Sequence, residues 1–361
     1  MVAATIVAVW LTAWNAYAAD GDFVWARHLG GDGDDTATGI AVDGVGNVYT
    51  VGICPGGDLD PGPGTFELGS SKFLLKLDRN GNFVWAKALA GMHHSIVVDP
   101  MGNLIVSGSF TGTEDFDPGP GTLELTSAGM SDMYVCKFDA GGSLIWARQM
   151  GGVGNEGDVQ PGLATDSAGN VYTTSAFSGP SDFDPGAGTF ELTGSGAFVS
   201  KLDTNGDFVW AAAFTGWATG HSVAVDGGGN VYCAGNYSST VDFDPGAGTV
   251  SLTSAGGSDA YIVKLDAAGA LLWAKSVGGT LDDYAFGVAV DGSGNMFAAG
   301  KFNDPNDFDP GAGTYALTEG DLFVVKLDSA GGFIWAKGMG GTSHSDYLFG
   351  LTLDVMGNVY T

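Results

Sequence analysis

The chain has 361 residues, of which 41 are Asp or Glu and 13 are Lys or Arg, so its formal net charge is −28. This balance excludes a nucleic-acid-binding protein, because such proteins carry a basic patch or stripe. The 62 glycines and 12 prolines would break helices every few residues, whereas 44% hydrophobic residues are enough for a large core. We therefore expect many short β-strands separated by turns.

The first nineteen residues differ from residues 20–361. Ala3 to Trp14 is an uncharged, mostly apolar run, and Ala16-Tyr17-Ala18 has the small-x-small form of a signal-peptidase site. Residues 1–19 therefore predict a signal peptide and an exported protein, extracellular or at the cell surface. The positive charge that normally precedes such a run is missing, since the first basic residue is Arg27, and the alternative is an apolar first strand. No later stretch is long and apolar enough to span a bilayer.

The three cysteines are too few and too scattered for a disulfide framework, and no Cys/His cluster suggests zinc. We expect Cys54, Cys136 and Cys233 to be free and buried.

Residues 20–361 form an array of repeats with a period of about 62 residues. Each period carries a Gly-Asn pair four residues after an aspartate, an Asp-x-Asp-Pro-Gly segment and a Lys-(Leu/Phe)-Asp triplet. A tryptophan marks the same place in each period, at Trp25, Trp85, Trp146, Trp210, Trp273 and Trp335. We expect these tryptophans to pack between repeats and not to serve as sugar platforms.

Each period contains four short apolar runs of β type, and Asp-x-x-Gly turns join the first to the second and the third to the fourth. Four antiparallel strands at constant spacing predict the blade of a β-propeller. Five complete blades lie between about residues 39 and 337. A lone fourth strand (residues 23–27) and a final pair (351–361) predict a split or truncated sixth blade that lacks its third strand. A β-solenoid and a string of sandwiches are the alternatives.

The segments Trp273-Ala-Lys-Ser-Val-Gly-Gly and Gly287-Val-Ala-Val-Asp291-Gly-Ser-Gly-Asn295 closely resemble the bacterial SBBP β-propeller repeat. The resemblance recurs in every period. It implies a propeller of six or seven blades, usually in exported or surface-anchored bacterial proteins, and it brings no catalytic motif with it.

The variable loops are the second-to-third and blade-to-blade connections, which share one face of a propeller. That face is also acidic, because it carries the Asp-x-Asp-Pro-Gly segments and the blade-to-blade acids Asp34, Asp35, Glu156, Asp158, Asp282, Asp283 and Asp346. Paired carboxylates and turn carbonyls predict a hard-cation site that is suited to calcium. The alternative is that the carboxylates only cap their own turns. The predicted metal ligands are Asp58, Asp60, Asp115, Asp117, Asp182, Asp184, Asp242, Asp244, Asp307 and Asp309.

Side chains that depart from the repeat are the better candidates for ligand binding. His94 and His221 stand at the entry to a first strand, and Trp217, Tyr284 and Tyr347 lie in nearby blade-to-blade loops. Aromatic rings beside carboxylates predict a site for a sugar or a peptide. A histidine with a nearby acid is also suited to acid/base chemistry, and its alternative role is a structural hydrogen bond.

The sequence therefore predicts an exported, non-enzymatic and monomeric β-propeller that serves as a scaffold for adhesion or for recognition of a protein or glycan. One alternative is a secreted glycan-active hydrolase or lyase that uses the propeller mouth. The other is a spacer module of a longer surface protein.

Overall fold

The computed structural model describes residues 5–9, 24–156, 161–303, 306–318, 321–341, 346 and 348–361. Every regular element in these ranges is a β-strand, and the strands form five antiparallel four-stranded blades, so the predicted all-β propeller fold is confirmed. The chain divides into two compact units. One comprises Met1–Ser127 with Met133–Gln149, and the other comprises Ala128–Asp132 with Met150–Thr361.

The first unit contains blade 1 and most of blade 2. Blade 1 consists of β3 (Thr36–Val42), β4 (Val48–Ile53), β5 (Lys72–Leu77) and β6 (Phe83–Ala88). Blade 2 consists of β7 (Met92–Val98), β8 (Leu104–Phe110), β11 (Asp132–Phe138) and β12 (Leu144–Gly152), with the hairpin β9 (Thr113–Asp115) and β10 (Glu124–Thr126) between its second and third strands.

The second unit contains the other three blades. Blade 3 consists of β13 (Gly162–Thr165), β14 (Val171–Ser178), β17 (Ser195–Leu202) and β18 (Phe208–Thr215), and blade 4 of β19 (Trp217–Val225), β20 (Val231–Asp242), β21 (Ser251–Leu265) and β22 (Leu271–Val277). Blade 5 consists of β23 (Tyr284–Val290), β24 (Met296–Lys301), β27 (Leu322–Leu327) and β28 (Phe333–Met339). Blades 3 and 5 also insert the hairpins β15 (Ser181–Asp182) with β16 (Glu191–Leu192) and β25 (Asn306–Asp307) with β26 (Ala316–Leu317).

Four further strands lie outside the complete blades. They are β1 (Thr5–Val9), β2 (Trp25–Leu29), β29 (Thr352–Leu353) and β30 (Val359–Tyr360). Val9 lies opposite Trp25, as Lys76 lies opposite Trp85 in blade 1, so β1 pairs with β2 in the register of a third strand with a fourth. The expectation of a lone strand at residues 23–27 is therefore wrong, because β2 has β1 as an antiparallel partner. The sequence signal for β1 is the same apolar run that predicts a signal peptide.

The hydrophobic core lies between neighbouring blades. One cluster joins Tyr49 and Leu74 of blade 1 to Val106 and Phe138 of blade 2, and the second unit repeats this arrangement between blades 3 and 4 and between blades 4 and 5. Within each unit, neighbouring sheets therefore bury apolar side chains against each other, as a propeller requires. The three cysteines are free and buried, as predicted.

The Asp-x-x-Gly turns have the predicted geometry. At the first one, the Gly46 N–H donates to the Asp43 carbonyl, and Gly46 has a φ of 89°. The Asp43 carboxylate accepts the N–H groups of Val45 and Asn47 and the Tyr49 hydroxyl. Asp supplies the acceptors and Gly the left-handed φ, so this turn fixes the register of each hairpin.

The repeat tryptophans join consecutive blades, as expected. Trp210 of blade 3 donates its Nε1–H to the Ala267 carbonyl in the third hairpin of blade 4, at 3.1 Å. Its ring lies against Gly269 of the same turn, where an added Cβ would be 3.0 Å from Cδ2. Trp25 and Trp273 make the corresponding contacts with the turns that contain Gly81 and Gly331.

Candidate functional site

The five Asp-x-Asp-Pro-Gly segments form turns that their own carboxylates cap. In blade 4, Asp242 Oδ1 accepts the N–H groups of Asp244 (3.1 Å) and Val250 (2.8 Å), and Asp244 Oδ1 accepts the N–H of Gly246 (2.8 Å). The other four segments make the same three hydrogen bonds. These contacts are those that the turn-capping alternative predicts.

A glycine four residues after the second aspartate completes each turn. A Cβ at Gly248 would lie 2.2 Å from Asp244 Oδ2, and the corresponding distances in the other four segments are 2.1–2.3 Å. The repeated unit is therefore Asp-x-Asp-Pro-Gly-x-Gly, and its last glycine is required because a side chain there would displace the carboxylate. The sequence contained this signal, since the glycine is present in all five segments.

The carboxylate pairs do not converge with other acidic groups. Among the described residues, no three His, Cys, Asp or Glu side chains form a group that could hold a metal ion. Each pair uses one oxygen of each carboxylate in the turn, so a cation at these segments would have to bind the remaining oxygens and backbone carbonyls. Calcium binding at the ten aspartates stays a prediction.

A polar cleft of about 470 Å³ lies beside the first of these segments, next to β2. Asp58, Asp60 and Arg27 line it. The Arg27 guanidinium donates to the carbonyls of Gly81 (2.9 Å) and Asn80 (2.8 Å), so it holds the turn of blade 1. Arg27 thus has a structural role in this cleft.

Both predicted histidines stand at a β-bulge that opens a first strand. The pairing of β7 with β8 shifts at His94, and that of β19 with β20 shifts at His221. His221 Nε2 lies 2.7 Å from Asn236 Oδ1, and burial lowers the pKa of His221. His94 Nε2 lies 3.5 Å from the Ser109 hydroxyl. Both contacts fit structural hydrogen bonds, and neither is made to a carboxylate.

Two of the predicted binding residues, His221 and Tyr284, contact the same aromatic ring in the second unit, and a third, Trp217, lies on the same strand as His221. Phe286, at the corresponding bulge of blade 5, packs on the His221 ring with centroids 5.3 Å apart and stacks on Tyr284 at 5.7 Å and 7°. Trp217 begins β19 and is 78% exposed. We call Trp217, His221, Tyr284 and Phe286 the aromatic patch. Tyr347 and Asp158 lie outside the described residues.

Sequence reasoning missed a buried histidine beside His94. His93 is 2% exposed, and its Nδ1 lies 2.5 Å from the hydroxyl of the buried Tyr134. Burial, with smaller contributions from Lys72 and His94, lowers the pKa of His93 to about 3. The ring is therefore neutral in the folded protein. The sequence signal for His93 is that it departs from the repeat, because blade 1 has Ala37 at the corresponding position.

The repeat lysines pack over aromatic rings of the second strands. Lys76, Lys201 and Lys264 place Nζ about 5 Å from the ring centroids of Tyr49, Tyr172 and Tyr232. Two lysines also pair with repeat carboxylates, Lys137 with Asp99 at 2.9 Å and Lys326 with Asp291 at 3.3 Å. These lysines thus stabilise the blades.

Comparison with known proteins supports this architecture. Residues 24–52 match the SBBP family, described as a beta-propeller repeat, so the predicted resemblance is confirmed. The chain is 23% identical, over 394 aligned positions, to an uncharacterized WD repeat-containing protein of Acanthamoeba polyphaga mimivirus. The alignment covers 88% of this chain and only 28% of the length of that relative.

Solved structures with a weak likeness to this chain include a protein of unknown function from Bacteroides caccae, with 12% identity, 87% of this chain and 85% of that chain covered, and a TM-score of 0.42. BamB from Moraxella catarrhalis is 14% identical, with 93% and 82% covered and a TM-score of 0.39. Likenesses at this level carry no information on function. In the described ranges, no helix is long and apolar enough to cross a membrane.

Proposed function

We propose that this β-propeller, which resembles the SBBP repeat family, is a non-enzymatic recognition scaffold that binds a glycan at the aromatic patch. The observation that carries the proposal is the contact of His221, Phe286 and Tyr284 across blades 4 and 5, together with the exposed indole of Trp217 at the start of β19, the strand that carries His221. Flat aromatic faces pack well against the apolar faces of sugar rings, and hydroxyl and indole N–H groups can bond their polar edges.

The chemistry of His221 supports binding in preference to acid/base catalysis. Its Nε2 is engaged with the amide oxygen of Asn236, and burial lowers its pKa, so it is neutral at physiological pH. A neutral imidazole without a carboxylate partner is a poor proton shuttle and a good hydrogen-bonding surface.

A glycan microarray probed with the full chain tests the proposal. We expect Trp217→Ala to weaken binding to any glycan hit at least about tenfold, because loss of a stacking ring removes about 1.4 kcal/mol or more. Tyr315→Ala, an aromatic substitution on a blade 5 hairpin, should leave binding unchanged. Equal binding by wild type and Trp217→Ala would refute the site. Consumption of the glycan over time would show an enzyme, and binding confined to peptides would change the ligand class.

We also propose that the protein acts outside the cell, at a cell surface or in the medium. The support is the apolar run followed by Ala16-Tyr17-Ala18. Cleavage after Ala18 would remove β1, which pairs with β2. N-terminal sequencing of the protein from its native host tests whether this leader is cleaved. A mature N-terminus after Ala18 would support export, and a retained β1 would contradict a cleaved leader.

A further inference from the structure

A carboxylate caps the chain after the fourth strand in most repeats. The capped group is the backbone N–H of the glycine six residues after the repeat tryptophan, and the donor–acceptor distances are 2.6–3.1 Å. The pairs are Gly31 with Asp35, Gly91 with Glu114, Gly152 with Glu156, Gly279 with Asp283 and Gly341 with Asp346.

Blades 2, 4 and 5 add a second acid to this place. It stands five residues before the repeat lysine of the third strand, and the three residues, each at most 2% exposed, are Asp132, Asp259 and Asp321. In blade 4, a Cβ at Gly278 would lie 2.5 Å from Asp259 Cγ, so the glycine makes room for the carboxylate. In blade 5, both Asp321 Oδ1 and Asp346 Oδ2 crowd the Cβ position of Gly340, at 2.0 and 2.9 Å. The two acids therefore occupy one buried space.

In blade 4, two buried carboxyl groups of like charge lie in the same region. Asp283 is 1% exposed and accepts the N–H of Gly279 (2.8 Å), the N–H of Asn303 (3.1 Å) and the amide of Asn306 (2.7 Å). Asp259 Oδ2 accepts the Ala255 N–H at 2.9 Å. Burial raises the pKa of both carboxyl groups, and the charge of Asp259 adds to the effect on Asp283.

Two oxygens in this space have no hydrogen-bond partner among the described residues. They are Asp259 Oδ1 and Asn306 Oδ1, and Asn306 is 1% exposed. Asn306 Oδ1 lies against Gly279, 1.9 Å from the position of a Cβ there, and Gly279 is the residue whose N–H Asp283 holds. In the described part of the chain, no basic group forms an ion pair with Asp259 or Asp283. Burying a carboxylate without a neutralising cation is strongly unfavourable.

Blades 1 and 3 supply internal comparisons. At the place of Asp259, five residues before the repeat lysine, blade 1 has Ser71, and the next residue is Lys72, whose Nζ is 3.7 Å from Glu114 Oε2. Glu114 caps Gly91 as Asp283 caps Gly279, so blade 1 sets a cation beside the capping acid. Blade 3 has Gly196 there, and its Gly216 N–H bonds the Ser195 carbonyl instead of an acid.

We propose that Asp259, Asp283 and Asn306 bind a divalent cation, Ca²⁺, beside the capping acid of blade 4. The two carboxylates and one amide oxygen are the hard oxygen ligands that Ca²⁺ prefers, and backbone carbonyls complete such shells. The acid pairs of blades 2 and 5 are the equivalent sites. This site is distinct from the Asp-x-Asp segments and from the aromatic patch.

The experiment compares thermal midpoints of the full chain in excess Ca²⁺ and in chelator at matched ionic strength. We expect Ca²⁺ to raise the wild-type midpoint, because an ion that binds only the folded state stabilises it. Asp259→Ser, which copies Ser71 of blade 1, should show a smaller calcium shift and, because it removes a buried charge, a higher midpoint than wild type in chelator. Asp242→Asn with Asp244→Asn, the control for the Asp-x-Asp turn, should keep the full calcium shift.

Terbium luminescence excited through tyrosine gives a second readout that does not depend on unfolding, because Tyr284 is adjacent to Asp283. We expect Asp283→Asn to weaken Tb³⁺ binding at this site at least about tenfold. An unchanged calcium shift in Asp259→Ser, or no shift in wild type, would overturn the proposal. A midpoint that ignores Ca²⁺ and rises on mild acidification would show that a proton neutralises the pair, which also overturns it.

Discussion

Replacing His93 by alanine should flatten the dependence of stability on pH. In the folded protein the pKa of His93 is about 3, against an ordinary value of 6.5. Below pH 6.5 the unfolded chain takes up a proton that the folded chain refuses, so the unfolding free energy falls by about 1.4 kcal/mol per pH unit until pH approaches 3. Between pH 7.5 and 4.5 this contribution amounts to about 2–3 kcal/mol.

The charged and titratable neighbours of His93 are Lys72, His94 and Tyr134. The variant His93→Ala restores the residue found at this place in blades 1 and 5, where Ala37 and Ala285 stand. At pH 7.5 we expect it to lower the unfolding free energy by about 1–3 kcal/mol, because it leaves a cavity and takes the partner from the Tyr134 hydroxyl.

Urea unfolding of both proteins, followed by tryptophan fluorescence at several pH values from 7.5 to 4.5, measures the effect. Carboxylate titrations occur in both proteins and cancel in the difference. We expect the advantage of the wild type to shrink by about 2–3 kcal/mol across this range. Parallel profiles would refute the reasoning, because they would mean that His93 takes up its proton equally in both states.

Three further predictions concern the connecting hairpins. Gly248→Ala should lower the unfolding free energy by about 1–2 kcal/mol in urea titrations, since its Cβ would displace the Asp244 carboxylate, whereas Gly227→Ala, with no atom within 4 Å, should be neutral within about 0.5 kcal/mol. Asp242→Ala with Asp244→Ala should cost about 2 kcal/mol equally in Ca²⁺ and in chelator if the carboxylates only cap the turn, and a larger loss in Ca²⁺ would identify metal ligands. Ser239→Gly should raise the thermal midpoint, because Ser239 has a φ of 63° and this backbone costs a non-glycine residue about 1 kcal/mol; an unchanged or lower midpoint would contradict this.

The sequence predicts the blades because their information is local and repeated. The Asp43 turn fixes the register within a few residues, and the period carries that register along the chain. The inserted hairpins were harder to foresee, because β9 and β10 have only three residues each and their pairing depends on the capped turn between them. Strand β1 was obscured since an apolar strand and a leader share one composition.

The candidate site was predictable only in part. Sequence reasoning selected His221 and Tyr284 because they depart from the repeat, and the structure places both in contact with Phe286. It could not separate His93 from His94, because neighbouring strand residues point to opposite faces and only the bulge decides which one is buried. It also could not pair Asp259 with Asp283, which are separated by a complete hairpin.

The tryptophan contact between blades bears on how such a chain can grow. Trp25, Trp210 and Trp273 reach a carbonyl 54, 57 and 56 residues further along, and each target turn belongs to the next copy of the same period. Duplication of one whole period in the gene therefore creates a new blade together with both of its interfaces, because each copy carries the ring for its successor and the turn for its predecessor. Lengthening or shortening the array by whole periods therefore keeps the tryptophan contact at each new seam.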